Sequence, residues 1–355
     1  MLKLQWRSST DQTENWFYYS FRPCLHGLFF ILSGMDQMKP RVLFSRCLGF
    51  EACRYNGEII RDDFAERLKA FVQPVTVCPE VEIGLGVPRA PIKIVYHEGR
   101  TRLIQPATGR DLTAEMEGFV SSFLDRLGEV DGFVLKSRSP SCGTRDVKAY
   151  NEEGNIYPAF ARRGFFGGAV MTRFPDKPVE DEGRLRNFLI RESFLCRLFS
   201  LARFRALRVR PTMAGLIEFH TRHKLLLLAY SQEALHRLGR LVANPEQLPV
   251  EHLLGEYEPL LSRALAKPPK YTSAINVLLH AFGYFKDRLN AQEKAFFLDT
   301  VEGYRRGRLP LSVPVNLLRS YIVRFGEPYL ERQFFFNPYP AGLIDIADSG
   351  KGRDR

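Results

Sequence analysis

Three cysteines stand in equivalent places. Cys47, Cys78 and Cys142 each follow a short apolar run: Val42-Leu43-Phe44, Val75-Thr76-Val77 and Phe133-Val134-Leu135. Cys53 lies six residues past Cys47 and is a candidate fourth member. The stretches around them are rich in turn and basic residues: Arg46-Cys47-Leu48-Gly49, Cys53-Arg54-Tyr55-Asn56-Gly57, Cys78-Pro79-Glu80 leading into Gly84 to Pro91, and Lys136 to Gly143. Thiolates that converge from distant loops select a soft metal, and iron–sulfur clusters or zinc are the two common answers. Lys136, Arg138 and Arg54 are expected to lower the thiol pKa values and to offset the charge of a thiolate-bound cluster. The competing reading is that these thiols are small buried hydrophobes. That reading is adopted for Cys24 and Cys196. No CxxC pair is present, which argues against a zinc ribbon or a thioredoxin-like centre.

The elements that must position these thiols alternate between strand and helix from Arg41 to about Phe174. Asp62 is a candidate cap for a helix with Phe64, Leu68, Phe71 and Val72 on one face, and Thr113 for one with Met116, Phe119, Phe123, Leu124 and Leu127. The alternation predicts an α/β N-terminal domain with a mostly parallel sheet, whose ligands bind at the carboxyl ends of the strands. From about Asp181 the period becomes helical over 182–202, 214–242, 250–266, 272–289, 291–306 and 314–325, which predicts an all-α C-terminal domain. The expected division is an extension over 1–37 outside the fold, an α/β domain over 38–180, an all-α domain over 181–345 and a frayed tail over 346–355. Met35 and Met38 are alternative starts to Met1. The apolar run Leu28 to Leu32 is too short to span a bilayer; no membrane partner is expected, with a weak membrane-surface anchor as the alternative for this segment.

The chain has 355 residues, 45% hydrophobic and 26% charged, an ordinary globular composition that excludes a disordered, collagenous or coiled-coil protein. Six cysteines spread through a chain of this size do not make a disulfide scaffold, and a reduced, cytoplasmic compartment is expected. Net charge is +11, and residues 201–355 carry about +8 of it, with 23 Lys and Arg against 15 Asp and Glu. Such an excess favours a polyanionic partner.

Taken together, Cys47-Leu48-Gly49, Cys53-Arg54-Tyr55-Asn56-Gly57, Cys78-Pro79-Glu80, Gly86-Val87-Pro88-Arg89 and Ser139-Pro140-Ser141-Cys142-Gly143 resemble the motifs of the thiouracil desulfidase family, in order, over about residues 40–175. The C-terminal half resembles the helical domain of unknown function fused to a desulfidase domain in bacterial tRNA 4-thiouridine desulfidases. The stretches that carry this second resemblance include Phe219 to Lys224, Pro314 to Asn316 and Phe334 to Tyr339. The resemblance implies a [4Fe–4S] cluster held by three cysteines, with one iron open. Carried onto this chain, the ligands are Cys47, Cys78 and Cys142, with Cys53 as the alternative. It further implies catalytic roles for Glu80 and Ser139. Two positions depart from the family pattern: Arg46 precedes Cys47 where a small residue is common, and Asn56 stands where Asp is usual.

The expected activity is a non-redox removal of sulfur from 4-thiouridine in tRNA, giving uridine and hydrosulfide. Desulfuration of free thiouracil and a non-catalytic nucleic-acid-binding or redox-sensing iron–sulfur protein are the alternatives. A structural zinc protein is a weaker one. A tRNA partner needs a grip on phosphates, and Arg203, Arg205, Arg208, Arg222, Lys224, Arg305 and Arg306 are the candidates. No obligate protein partner is inferred. His220 and His223 share one helix and are expected to cap or to face RNA. The aromatic run Phe334 to Phe336 with Tyr339 is expected in the core between domains.

Overall fold

The computed structural model describes residues 38–157 and 163–345. The expected extension with Cys24 and Met35, and the expected tail, lie outside the described residues. No helix among the described residues is long and apolar enough to cross a membrane.

The three apolar runs are the heart of one sheet. β1 (Arg41–Ser45) pairs in parallel with β2 (Gln73–Val77) on one side, with Leu43 opposite Val75, and with β6 (Gly132–Leu135) on the other, with Leu43 opposite Phe133. β8 (Val179–Asp181) extends the sheet beside β6, giving the all-parallel order β2-β1-β6-β8. Side chains alternate across the strands. Leu43, Val77, Phe133 and Leu135 enter a core with α3 (Thr113–Arg126) and α4 (Phe165–Arg173), through Met116, Val120, Phe166 and Val170. Val42, Phe44 and Val134 face the other way, onto α1 (Asp63–Lys69) and α5 (Phe188–Val209), through Phe64, Leu68, Phe194, Leu195 and Leu198. The helix that covers this second face thus begins beyond residue 181, and one core unites the two parts of the chain.

Asp62 caps α1 as expected, its carboxylate accepting from Ala65 N at 3.0 Å. Thr113 does not cap α3. It is the first helical residue, after Leu112, and its hydroxyl accepts from Leu103 N at 2.9 Å, which ties the helix to a neighbouring strand instead. That strand belongs to a second sheet, ordered β5-β4-β3-β7, built from β3 (Lys93–His97), β4 (Arg100–Gln105), β5 (Arg110–Asp111) and β7 (Ala149–Tyr150). Glu98 and Gly99 turn the β3–β4 hairpin, both at positive φ.

Further helices follow α5: α6 (Met213–Tyr230), α7 (Gln232–Ala243), α8 (Val250–Ala264), α9 (Tyr271–Phe282), α10 (Ala291–Arg305) and α11 (Ser312–Phe325). The expected 214–242 stretch is two helices, because the Ser231 hydroxyl caps α7 by accepting from Ala234 N. Asn290 opens α10 with a reciprocal capping box to Glu293. Phe334, Phe335 and Phe336 are buried among α6, α9, α10 and α11, and Tyr339 against the sheet-facing core.

Candidate active site

The order in which strands are added reverses between β1 and β6, β2 lying on one side of β1 and β6 on the other, so the crevice of an open α/β sheet falls at their carboxyl ends. There the Ser45 hydroxyl, at the end of β1, accepts from Lys136 N, just past β6, at 2.8 Å. All four candidate cysteines surround this point. Cys47 lies in the turn after β1, where its carbonyl accepts from Ile60 N. Cys78 follows β2 directly and precedes the short helix α2 (Pro79–Glu82), which begins at proline. Cys142 rides the loop after β6. That loop is pressed onto the start of α4: a Cβ on Gly167 would stand 2.4 Å from the carbonyl oxygens of Cys142 and Gly143, so only glycine permits the approach.

The Cys53 thiol is in hydrogen-bonding reach of both Cys47 and Cys78, and the Cys78 and Cys142 thiols sense each other's charge. Cys53, Cys78 and Cys142 are buried, Cys47 half-buried, and none of the four is in a disulfide. The expected lowering of thiol pKa values is reversed. The Cys47 thiol, as hydrogen-bonding neighbour, pushes Cys53 up to about 11. Contact with Cys53 and burial hold Cys78 well above the usual thiol range, and burial pushes Cys142 up to about 12. A soft cation must therefore displace these protons to bind. Among the described residues no group of His, Cys, Asp and Glu closes around a single-ion position. A cubane cluster takes its thiolates at separate corners, and a buried, unoxidised, all-sulfur donor set drawn from separate loops fits that larger group.

Glu80 sits two residues past Cys78 and is held at both oxygens. Its Oε2 accepts from Arg89 Nε at 2.9 Å and Nη2 at 2.6 Å, and its Oε1 accepts from Ser141 Oγ at 2.6 Å. Arg89 also donates through Nη1 to Cys53 O at 3.0 Å, so one guanidinium joins the carboxylate to a cysteine loop. Ser139 Oγ accepts from Ser141 N at 3.2 Å and Cys142 N at 3.0 Å, and lies 3.0 Å from Ser141 Oγ. Ser141 must donate to the carboxylate, so the hydroxyl chain runs from Ser139 through Ser141 to Glu80. The buried Glu182, just past β8, accepts from Ser137 N, Ser137 Oγ and Lys136 Nζ at 2.5–2.8 Å, and so anchors the loop.

Arg89, Ser141, Ser45 and Glu182 were not singled out by residue type and spacing. Arg89 and Ser141 do fall inside the recognised motifs, but their partners lie 9 and 61 residues away and only the fold reveals them.

The basic candidates for RNA divide. Arg203 is buried, donates to Pro338 O at 2.7 Å and stands 3.9 Å from the centre of the Phe334 ring. Arg205 forks onto the fully buried Asp131 at 2.8–3.1 Å. Arg208 pairs with Glu129 and Glu258, and Arg222 stacks on Phe334 from 4.2 Å. These four tie segments of the protein together. Lys224, Arg305 and Arg306 face solvent, the last two paired with Glu302. His220 and His223 are interior residues. His220 shares a hydrogen bond with the Tyr257 hydroxyl, and His223 stacks between Phe219 and Phe334. Burial on the apolar side of α6 removes both from any RNA-facing role. Cys196 is buried in the core, as expected.

Residues 42–182 match the family described as 2-thiouracil desulfurase, and residues 224–340 a family described as a protein of unknown function, DUF1722. The chain is similar to the uncharacterized protein YbbK of Bacillus subtilis, 35% identical over 139 residues, which are 37% of this chain and 82% of that one. It is also similar to the uncharacterized protein YbgA of Escherichia coli, 29% identical over 161 residues, 45% of this chain and 95% of that one. A solved structure of a [4Fe-4S]-dependent thiouracil desulfidase is 27% identical, with a TM-score of 0.32, covering 41% of this chain and 93% of its own.

Proposed function

Because the chain belongs, through residues 42–182, to the 2-thiouracil desulfurase family, we propose that it is a [4Fe–4S]-dependent desulfidase that converts 4-thiouridine in tRNA to uridine. One observation carries the reading: four cysteine thiols from three loops meet beside a carboxylate that is oriented at both oxygens. Cys47, Cys78 and Cys142 would hold the cluster, which supplies an iron with affinity for a thiocarbonyl sulfur and Lewis acidity toward the ring carbon.

The chain's own residues supply the proton chemistry. Glu80 takes a proton from the attacking water, whose oxygen becomes the C4 carbonyl oxygen. The C4–S bond breaks, sulfur leaves as hydrosulfide with the second water proton, and Glu80 returns its proton to solvent. No electron is transferred. Arg89 keeps the carboxylate aimed. Ser141 fixes Oε1, and Ser139, steadied by two backbone amides, turns its hydroxyl toward Ser141 or toward the base edge.

The tRNA reading is supported by the charge of the C-terminal half and by the solvent-facing Lys224, Arg305 and Arg306. A modified base in a folded RNA must be extruded to reach a crevice, which requires a grip on the flanking backbone. Anaerobically purified protein is expected to be brown, with about four irons per chain. A colourless protein with one zinc would overturn the cluster.

A further inference from the structure

Cys53 is a buried nucleophile that the proposed chemistry does not use. The turn that carries it sets it against Cys47. Arg46 O accepts from Phe50 N at 3.3 Å and from Glu51 N at 3.1 Å, and Glu51 O accepts from Cys53 N at 2.9 Å. Gly49 supplies the left-handed φ of +76° within this turn. Outside contacts pin it. Lys69 donates to Gly49 O at 2.6 Å and stands 4.1 Å from the centre of the Phe50 ring, which packs on Phe44 at 5.2 Å. Cys47 O accepts from Ile60 N at 2.8 Å. The two thiols thus lie in hydrogen-bonding reach of each other in a turn held from several sides.

Cys78 also lies in reach of Cys53, and its thiol donates to Cys53 O at 3.8 Å. Access from solvent separates the two neighbours. Cys47 is half-buried, whereas Cys53, Cys78 and Cys142 are buried. Oxidation of thiols follows their exposure, so a small oxidant from solvent meets Cys47 first. Cys53 then stands behind it as the nearest second thiol in sequence, six residues on.

We infer that Cys47 and Cys53 are a peroxide-responsive modification site: in the chain without its cluster, hydrogen peroxide oxidises Cys47 and Cys53 captures the product as a disulfide. The O–O bond of peroxide breaks as one oxygen joins the Cys47 sulfur, giving a sulfenic acid and one water. The Cys53 sulfur attacks that sulfur, the S–O bond breaks, and the hydroxide leaves with the Cys53 proton as a second water. Two electrons pass from the thiol pair to peroxide. Capture stops Cys47 short of the sulfinic acid, from which a thiol reductant does not recover it, whereas the disulfide opens by exchange. A paired Cys47 is withheld from iron. That consequence rests on the desulfidase reading, and the pairing itself does not.

The test takes the full chain, reduced and free of iron, through hydrogen peroxide, alkylation and trypsin. Trypsin cuts after Arg46 and Arg54, so both thiols fall in one peptide, Cys47 to Arg54, while Cys78 and Cys142 fall in two others. The Cys47 to Arg54 peptide is expected unalkylated and lighter by two hydrogens, with Cys78 and Cys142 alkylated. Dithiothreitol should return it to the alkylated form. In Cys53→Ala the same treatment should leave Cys47 as sulfinic or sulfonic acid, and the iron taken up after reduction should fall about tenfold below that of the unaltered chain. Two alkylated thiols after peroxide, a disulfide that joins the Cys53 and Cys78 peptides, or an unaltered chain whose Cys47 passes on to sulfinic acid would each overturn the pair. Equal recovery of iron in the two chains would overturn the capture by Cys53. The peptide masses report the pair whether or not iron is ever bound: a chain that pairs these thiols and takes up no iron would sink the cluster and leave the pair standing.

Discussion

Arg89 grips Glu80 through two nitrogens on a single oxygen, Nε at 2.9 Å and Nη2 at 2.6 Å, and both side chains are largely withdrawn from water, at 5% and 13% exposure. A planar fork fixes the carboxylate's orientation, which a point charge cannot do. Arg89→Lys is therefore expected to lower kcat about tenfold to a hundredfold while iron content stays unchanged. Arg89→Ala leaves a carboxylate without its partner and should also cost about 3–5 kcal/mol of stability, read from the denaturant midpoint.

Ser141 contributes the other restraint, its hydroxyl donating to Glu80 Oε1 at 2.6 Å. Ser141→Ala should reduce kcat about tenfold or more with little change in KM, as expected when the general base loses its aim. Glu80→Gln should abolish turnover and keep iron. A Glu80 variant of undiminished turnover would remove this carboxylate from the chemistry.

The cysteines separate by iron retention. Cys47→Ala, Cys78→Ala and Cys142→Ala are each expected to lose the cluster, and Cys53→Ala to keep it. Cys53 lies between Cys47 and Cys78, so a Cys53→Ala variant that loses iron while Cys47→Ala retains it would exchange the two assignments.

Arg205 and the pair Arg305 and Arg306 should behave oppositely. Asp131 is fully buried, and its carboxylate accepts from Arg205 and from Arg41 N. Arg205→Ala strands that charge and should lower stability by about 3–5 kcal/mol. Replacing Arg305 and Arg306 together by Gln should leave the melting temperature within about 1 °C, since exposed pairs contribute little, and should weaken tRNA binding in a salt-dependent way.

Acid should loosen the helical part through its buried histidines. Burial, aided by the positive charge of Lys224, pushes His220 down to about 4, and burial holds His223 well below its usual range. Between pH 6.5 and about 4 the unfolded chain takes up protons that the folded His220 refuses. The stabilising contribution is thus complete above pH 6.5 and is lost on acidification, by on the order of 3 kcal/mol for His220. Denaturant midpoints at pH 7.5, 6 and 5 should fall accordingly, and His220→Gln should make the fall shallower.

The parallel sheet was legible in the sequence because its central strands are buried on both faces and its strands read as short apolar runs: β1, β2 and β6 fall on Val42–Phe44, Val75–Val77 and Phe133–Leu135. The start of α1 was legible from the capping residue Asp62, and the helical period over 291–306 located α10. The β3–β4 hairpin was not, because β4 leaves Arg100, Thr101 and Arg102 exposed and carries little apolar alternation. At the site, turn-rich loops after strands pointed to the cysteines, and the motifs to Glu80 and Ser139. The Arg89 and Ser141 contacts depend on loop packing that no local pattern encodes. Arg203 and Arg205 show the opposite failure. A basic run reads as a surface, yet here long side chains reach inward to Pro338 and to Asp131.

The most direct measurement is the fate of 4-thiouridine in tRNA incubated with the anaerobically loaded protein. The near-ultraviolet band of the thiolated base is expected to disappear, with one hydrosulfide released per base converted and no reductant consumed. A band that persists with iron-replete protein, or that disappears equally with the Glu80→Gln variant, would contradict it.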